Sequence, residues 1–269
     1  TPLTLEAALQ RTDCHPGVRA ALGLLRGARA DEVTAGQRPN PNLTLGANSV
    51  PRNVGAGRFM DKAFDHQVRV DQLIERGGKR ALRQLAAADQ SRSASSDLAQ
   101  ARADALADIA GAYLDLQAAQ ARSQALRAFV EGSQQSVNLL EARVKAGDAA
   151  AIELARLRTE HARLQAETAQ AQADAAGLRA RLTVAIGLDA PLPALQAAQE
   201  WAAPSRLDAD TPTEELLRRR PDVQAARARS QAAERLHQLA QAQRTRDVTI
   251  GVQADRYPAT AANPSGNGN

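Results

Sequence analysis

The chain has 269 residues, of which 43% are hydrophobic but only 2% are aromatic. So few aromatic rings argue against one compact core, and the alanines and leucines that fill the apolar positions favour long, closely packed helices. The 34 basic and 30 acidic residues give a formal net charge of +4. The arginines are interspersed with acids and form no one-sided basic stripe with stacking aromatic rings, so nucleic acid is not an expected partner.

The first predicted elements are two helices and a strand. Residues 3–12 have the pattern of a short amphipathic helix, and residues 16–36 that of a helix about twenty residues long, which ends at a glycine and a proline-rich breaker. Residues 42–50 then alternate between the two faces of a strand, with the apolar Leu43, Leu45 and Ala47 on one face. The pattern predicts a strand directly after the second helix.

A second strand is predicted at residues 63–75, after a loop at 51–62. Its alternation places the apolar side chains on one face, and the acidic and basic ones on the other. In a soluble hairpin the apolar face would need a core, whereas in a transmembrane barrel it would meet lipid while the charges faced the lumen. A length of about ten residues suits a tilted membrane strand. We expect the barrel, with the soluble hairpin as the alternative.

Four charged residues of these strands are predicted to line the barrel lumen, because they share the polar face: Asp65, Arg69, Asp71 and, from a third strand, Asp255. Two aromatic residues near the strand ends, Phe64 and Tyr257, are candidates for the membrane interface.

A long helical hairpin is predicted at residues 77–187. Residues 79–146 contain no proline and form a helix on the order of 100 Å long, and Gly147 and Asp148 make the turn. The return helix, 149–186, has ten successive seam positions at alternating spacings of three and four, which is typical of an antiparallel coiled coil. These positions are Leu154, Leu157, His161, Leu164, Thr168, Ala171, Ala175, Leu178, Leu182 and Ala185. Because the return helix is the shorter one, we expect helix 16–36 to stack on its end.

An internal repeat relates the two ends of the chain at an offset of 205 positions. Residues 42–50 match 247–255, and residues 15–21 match 220–226 without a gap. A duplicated helix-then-strand unit is therefore expected.

Three local sequences resemble the TolC-type outer-membrane efflux channels. Residues 74–80, IERGGKR, are similar to the strand-to-helix junction of the heavy-metal-efflux (CzcC-like) branch. Residues 143–147, RVKAG, with Glu153 after them, resemble the hairpin-tip motif of the family, and residues 217–223, LRRRPDV, resemble the opening of its second repeat.

The resemblance implies a mainly α fold with a membrane β-barrel portion. It combines a long antiparallel coiled-coil hairpin, short transmembrane strands and an internal repeat, and it assembles as a trimeric α/β barrel. It divides the chain into equatorial and short tunnel helices (1–41), a barrel hairpin (42–76), the periplasmic coiled-coil hairpin (77–187), a linker with a short helix (188–219), a second tunnel helix (220–246), and a third strand with the start of an extracellular loop (247–269). The rest of the second repeat is expected to be absent.

The function that the resemblance implies is passive conduction of substrate, with heavy-metal cations expected, from the periplasm to the exterior. The expected location is the outer membrane of a Gram-negative bacterium, with the hairpin extending into the periplasm. The expected partners are two further copies of the chain, outer-membrane lipid, a periplasmic adaptor and an inner-membrane RND pump. Four hairpin-tip residues are candidates for adaptor or gate contact, with ordinary helix-turn chemistry as the alternative: Arg143, Gly147, Asp148 and Glu153.

Other functions remain open on the sequence. A periplasmic adaptor also has a helical hairpin, a channel of this family can serve drugs or type I secretion, and a purely structural coiled coil is a further alternative. No nucleophile, paired acids or phosphate loop stands in a setting typical of an enzyme, so no catalysis is expected.

No metal ligand and no cofactor are predicted. Asp13, Cys14 and His15 are potential ligands, but His15 occupies the slot of Arg220 in the second repeat, which favours a structural turn. His161 lies in the coiled-coil seam, and His66 and His237 have no partner in sequence.

Overall fold

The computed structural model describes residues 2–48, 65–188, 194–201 and 213–257. The helices are α1 (Leu5–Leu9), α2 (Pro16–Ala35), α3 (Lys79–Lys145), α4 (Ala151–Ala185), α5 (Thr213–Arg219) and α6 (Pro221–Ala242), with a 3-10 turn at Thr12–Cys14. The strands are β1 (Asn42–Asn48), β2 (Asp65–Ile74) and β3 (Val248–Arg256). Among these described residues, no helix combines the length and the apolar character that crossing a membrane requires.

Two compact units make up the chain. The first comprises Thr1–Arg26 with Ser93–Ala226, and the second comprises Gly27–Arg92 with Arg227–Asn269. The divisions between the two units fall inside α2, α3 and α6. The six segments named from the sequence stay a prediction. Helix α6 also ends four residues before the predicted boundary, at Ala242, where the chain turns toward β3.

The helical hairpin of the first unit turns where the sequence predicts. Helix α3 has 67 residues and α4 has 35. Gly147 has a φ of +84°, and the Asp148 N–H donates to the carbonyl of Arg143 at 2.9 Å. The Gly147 N–H donates to the carbonyl of Val144 at 3.1 Å, which completes a Schellman motif. Glycine is favoured here because the left-handed conformation is strained for other residues.

The predicted seam of α4 is confirmed by its burial. Buried seam positions of α4 are Leu154, His161, Thr168, Ala171, Ala175, Leu182 and Ala185. Leu157, Leu164 and Leu178 are half-buried. Leu182 and Ala185 pack into one core cluster with Ile109, Ala112 and Leu116 of α3. A spacing of three and four therefore identified the buried face.

Helix α2 packs on an earlier stretch of α3 than α4 does. Val18 and Leu25 form a cluster with Leu98 and Ala105 of α3, whereas the α4 cluster begins at Ile109. Within the first unit, the expected stacking of two shorter helices along one long helix is therefore observed.

The end of α4 meets the turn before α2 at a second glycine. Gly187 has a φ of +72°, and its N–H donates to Val184 in a second Schellman motif. A Cβ atom at Gly187 would lie 2.2 Å from the carbonyl oxygen of Cys14. The chain can pass this closely only because residue 187 has no side chain.

The sheet of the second unit is antiparallel in the order β1-β2-β3. Leu45 pairs with Val68, which pairs with Ala254. The face that contains them also carries Leu43, Ala47, His66, Val70, Gln72, Ile74, Val248, Ile250, Val252 and Arg256. We call it the apolar face, since its polar members, His66, Gln72 and Arg256, lie near the two ends of the sheet.

The internal repeat is visible in the structure. Helix α2 leads into β1 as α6 leads into β3, and Pro16 and Pro221 begin the two helices. Gly46 and Gly251 occupy equivalent strand positions, and each leaves room for a polar side chain of β2. A Cβ atom would lie 3.0 Å from Gln67 Oε1 at Gly46, and 2.2 Å from Asp71 Oδ1 at Gly251.

Candidate functional site: the sheet, its helical junction and the hairpin turn

The four predicted lumen residues share one face of the sheet. Residues 65, 69 and 71 alternate along β2, and Asp255 pairs with Gln67, which lies between them on the same face. Arg69 Nε donates to Asp71 Oδ2 at 2.7 Å, and Gln253 Nε2 donates to Asp255 Oδ2 at 2.7 Å. The side chains thus form a hydrogen-bonded charged face, which we call the polar face. Its lining of a lumen stays a prediction.

The apolar face is exposed in the described part of the chain. Leu45 is 71% exposed and Val252 is 73% exposed, and Leu43 and Ile250 are also mostly exposed. A contiguous exposed apolar surface of this kind is characteristic of a membrane or protein interface. The sheet therefore has one exposed apolar face and one charged face.

The junction between β2 and α3 contains long-range contacts that the sequence pattern does not predict. Lys79 Nζ donates to Asp247 Oδ1 and to the carbonyl of Thr245, both at 2.8 Å. Arg80 Nε donates to the carbonyl of Gly36 at 2.6 Å. These bonds satisfy backbone groups just after α2 and α6, which have no partner within a helix.

A sequence signal for this junction exists. Lys79, Arg80 and Arg83 stand in the first turns of α3, where the first turn contains no acidic residue. Because the helix dipole disfavours cations at a helix N-terminus, three of them there indicate that other groups hold them. Arg83 accordingly donates to both carboxylate oxygens of Glu75, at 2.7 and 3.0 Å.

The Glu75–Arg83 pair makes the stability of the junction dependent on pH. The guanidinium of Arg83 holds the pKa of the Glu75 carboxyl below its ordinary value. A carboxyl with a lowered pKa in the folded state stabilises the fold above its unfolded pKa of about 4.3, and that stabilisation is lost as the pH falls through the folded value.

Glu75→Gln should therefore lower the free energy of unfolding by about 1 kcal/mol at pH 7, and by less near pH 2, because the stabilisation by the ionised carboxyl is lost as the pH falls through its folded pKa. Denaturant titrations of the detergent-solubilised protein at both pH values measure this. Glu160→Gln, which replaces an exposed glutamate of α4, is the control and should change neither value. An equal loss at both pH values would contradict a role for the ionised pair.

The four predicted hairpin-tip residues lie together at the turn between α3 and α4. The guanidinium of Arg143 contacts the carbonyl of Asp148 at 3.4 Å, and Gly147 supplies the left-handed turn position. Glu153 is exposed in the first turn of α4. The turn therefore carries one cationic and two anionic side chains, and their contact with an adaptor or a gate stays a prediction.

The histidines singled out in the sequence have structural contacts. His15 lies 3.4 Å from Asp108 and accepts the Gly17 N–H, and His161 contacts Ser133 at 3.2 Å. His237 contacts Gln241 at 2.9 Å. Over the ranges that the structure describes, no cluster of three or more His, Cys, Asp or Glu residues suits a metal ion. Phe64 lies outside the described residues, and Tyr257 is exposed.

A long antiparallel helical hairpin, a duplicated helix–strand unit and a sheet with an exposed apolar face together define the architecture of a TolC-type channel. The family model described as "Outer membrane efflux protein" matches residues 5–188. The chain belongs to this family. The predicted TolC-type family and the fold class are thereby confirmed, whereas the heavy-metal branch stays a prediction. The periplasmic adaptor is not the class of this protein.

Two curated relatives share modest identity with the chain. It is 27% identical to the pyoverdine export outer membrane protein OpmQ of Pseudomonas putida, over 94% of this chain and 56% of that protein. It is 28% identical to the protein of the same name from Pseudomonas aeruginosa, over 97% of this chain and 58% of that protein. The chain therefore spans somewhat more than half the length of these relatives.

Solved structures share the fold at lower identity. The outer membrane protein VceC from Vibrio cholerae is 21% identical to this chain, with a TM-score of 0.70. The match covers 94% of this chain and 63% of the VceC chain. The Campylobacter jejuni CmeC outer membrane channel is 14% identical to this chain, with a TM-score of 0.75. The match covers 96% of this chain and 62% of the CmeC chain. CusC is 18% identical to this chain, with a TM-score of 0.72. The match covers 94% of this chain and 59% of the CusC chain, whose structures are described in connection with transmembrane channel formation.

Proposed function

We propose that the chain forms wall segments of an outer-membrane channel that conducts substrate passively out of the periplasm as part of a tripartite efflux pump. The main support for this proposal is the sheet. Its apolar face is exposed, and its opposite face carries Arg69 and three acidic residues. In hydrocarbon every strand must be paired, because an unpaired backbone group costs several kcal/mol. Strands β1 and β3 form the edges of the described sheet, so we propose that strands of three copies close the barrel.

Conductance across planar bilayers tests this function. The purified protein should give voltage-stable ionic currents without a nucleotide or a redox partner, because passive conduction involves no catalysis. A preparation that inserts as an assembled oligomer but carries no current would contradict the proposal.

The substrate is proposed from the charge of the polar face. Asp65, Asp71 and Asp255 outnumber Arg69 there, and a pore lined mainly by acids favours cations. This supports heavy-metal cations. The names of the two curated relatives make pyoverdine the competing substrate, and drugs or proteins of type I secretion are further alternatives.

Complementation of a strain that lacks the gene separates these substrates. Export of metal cations predicts restored tolerance to cobalt, zinc, cadmium, copper or silver. Restored secretion of pyoverdine with unaltered metal tolerance would overturn the metal assignment.

The partners are proposed from the hairpin turn. We propose that a periplasmic adaptor, which links the channel to an inner-membrane RND pump, contacts Arg143, Asp148 and Glu153. These side chains are exposed and their charges mostly face solvent.

Arg143→Ala should weaken capture of the cognate adaptor roughly tenfold, because one charge-assisted hydrogen bond is lost, while thermal stability stays unchanged. Immobilised adaptor and surface plasmon resonance measure the affinity. Arg122→Ala, which removes another exposed arginine of α3, is the matched control. Equal affinities of the two variants would place the docking surface elsewhere.

A further inference from the structure

We propose that a cavity of about 450 Å³ in the first unit binds an acidic glycan segment of about two sugars. The cavity lies between α3, α4 and the segment 194–201, away from the sheet and the hairpin turn. Neither its location nor its chemistry depends on the channel function.

The cavity has a buried amide with unused hydrogen-bonding capacity. Gln117 is only 4% exposed, and its Nε2 donates to the carbonyls of Ala198 at 2.7 Å and Glu200 at 2.9 Å. Because two acceptors fix the amide nitrogen, the amide cannot be reversed. Its Oε1 has no hydrogen-bond partner among the described residues. This oxygen is itself buried, so Gln117 fixes the cavity wall against the segment 194–201, and other lining groups contact the ligand.

A second glutamine is held by the opposite end of its amide. Gln120 Oε1 accepts the Ala197 N–H at 3.2 Å, which leaves its Nε2 group as a donor. Four further glutamines line the cavity, namely Gln124, Gln172, Gln196 and Gln199. Amides offer both donors and acceptors, which match the hydroxyl and acetamido groups of sugars.

The charge of the cavity selects an acidic ligand. Its lining includes Arg127 and Arg179 and, among the described residues, no Asp or Glu. Neither arginine forms an ion pair with a described carboxylate. Arg179 is oriented by a hydrogen bond from its Nε to the carbonyl of Leu195 at 2.8 Å. A guanidinium held in this way suits a carboxylate, which it can bind with two parallel hydrogen bonds.

Trp201 supplies a flat apolar surface next to these polar groups. Its indole lines the cavity and is 57% exposed, and the other apolar side chains of the lining are alanines. A drug-like apolar ligand would find little contact there. A sugar ring has an apolar face that can stack on the indole and polar edges that can reach the amides, so a glycan uses both parts of the lining.

Isothermal titration of the detergent-solubilised protein tests the proposal. The probe is the disaccharide of N-acetylglucosamine and N-acetylmuramic acid, and the neutral N,N′-diacetylchitobiose is its uncharged counterpart. The acidic disaccharide should bind about tenfold more tightly than the neutral one. Trp201→Ala and Arg127→Gln should each weaken its binding by a similar factor, whereas Arg122→Gln, at an exposed arginine of α3 outside the cavity, should not.

Three results would overturn the proposal. The first is no binding of the acidic disaccharide at millimolar concentration. The second is equal binding of the two disaccharides, which would exclude recognition of the carboxylate. The third is equal binding by Arg127→Gln and Arg122→Gln, which would place the ligand outside this cavity.

Discussion

Val252→Lys is expected to abolish stable assembly in the outer membrane, whereas Gln253→Lys, one residue further along β3, is expected to be tolerated. Val252 is 73% exposed in the middle of the strand on the apolar face, and Gln253 pairs with Arg69 on the polar face. A lysine in the centre of a bilayer on the lipid side of a barrel strand costs about 2–4 kcal/mol. Each copy in an oligomer bears that cost, so the effects accumulate.

The same pair of variants shows whether the apolar face of the sheet is surrounded by lipid or by water. If the apolar face were in water, a lysine at this exposed valine would change stability by only about 0.5 kcal/mol. The measurement is the yield of heat-modifiable oligomer extracted from outer membranes, with equal expression as the control. Equal yields of the two variants would contradict a lipid-facing surface at Val252.

Gly187→Ala is expected to destabilise the first unit by about 3 kcal/mol or more, and Gly147→Ala by only about 1 kcal/mol. Both glycines have a positive φ, so a side chain adds backbone strain at each. At Gly187 a Cβ atom would also lie 2.2 Å from the oxygen and 2.7 Å from the carbon of the Cys14 carbonyl, whereas no atom lies within 4 Å at Gly147.

Denaturant titration of the helical circular dichroism compares these two substitutions directly. Because the backbone strain is similar at both positions, the difference between them reports the close approach of Cys14 to the end of α4. Equal losses of stability would show that the turn before α2 moves away at little cost.

The strands and the hairpin could be predicted because they follow short periods in the sequence. Alternation identified the shared face of Asp65, Arg69 and Asp71, and the seam spacing identified the buried positions of α4. The constant offset of 205 positions identified the equivalence of α2–β1 and α6–β3. Each of these signals is local or repeats exactly at a fixed distance, so one sequence is enough to show it.

The junction and the cavity could not be predicted, because they depend on contacts between distant residues. Lys79 meets Asp247 across 168 positions, and Gln117 meets Ala198 across 81. Residues 194–201 lie in the predicted linker, and Ala197 forms a β-bridge with Leu3, which is 194 positions away in the sequence. Composition gives no indication of such pairings. The cations at the start of α3 were the one available signal, because a helix N-terminus disfavours them.

Spin-label accessibility along β3 tests the central claim most directly. In a Cys14→Ser background, single cysteines at Ile250, Val252 and Ala254 sample the apolar face, and cysteines at Thr249, Gln253 and Asp255 sample the polar face. For the protein in native outer-membrane vesicles, the first set should be accessible to oxygen dissolved in lipid, and the second set to a water-soluble nickel chelate. Along β3, accessibility to oxygen and accessibility to the nickel chelate should alternate from residue to residue, with one high where the other is low. Access of the nickel chelate to both sets alike would contradict a sheet that separates lipid from a water-filled lumen.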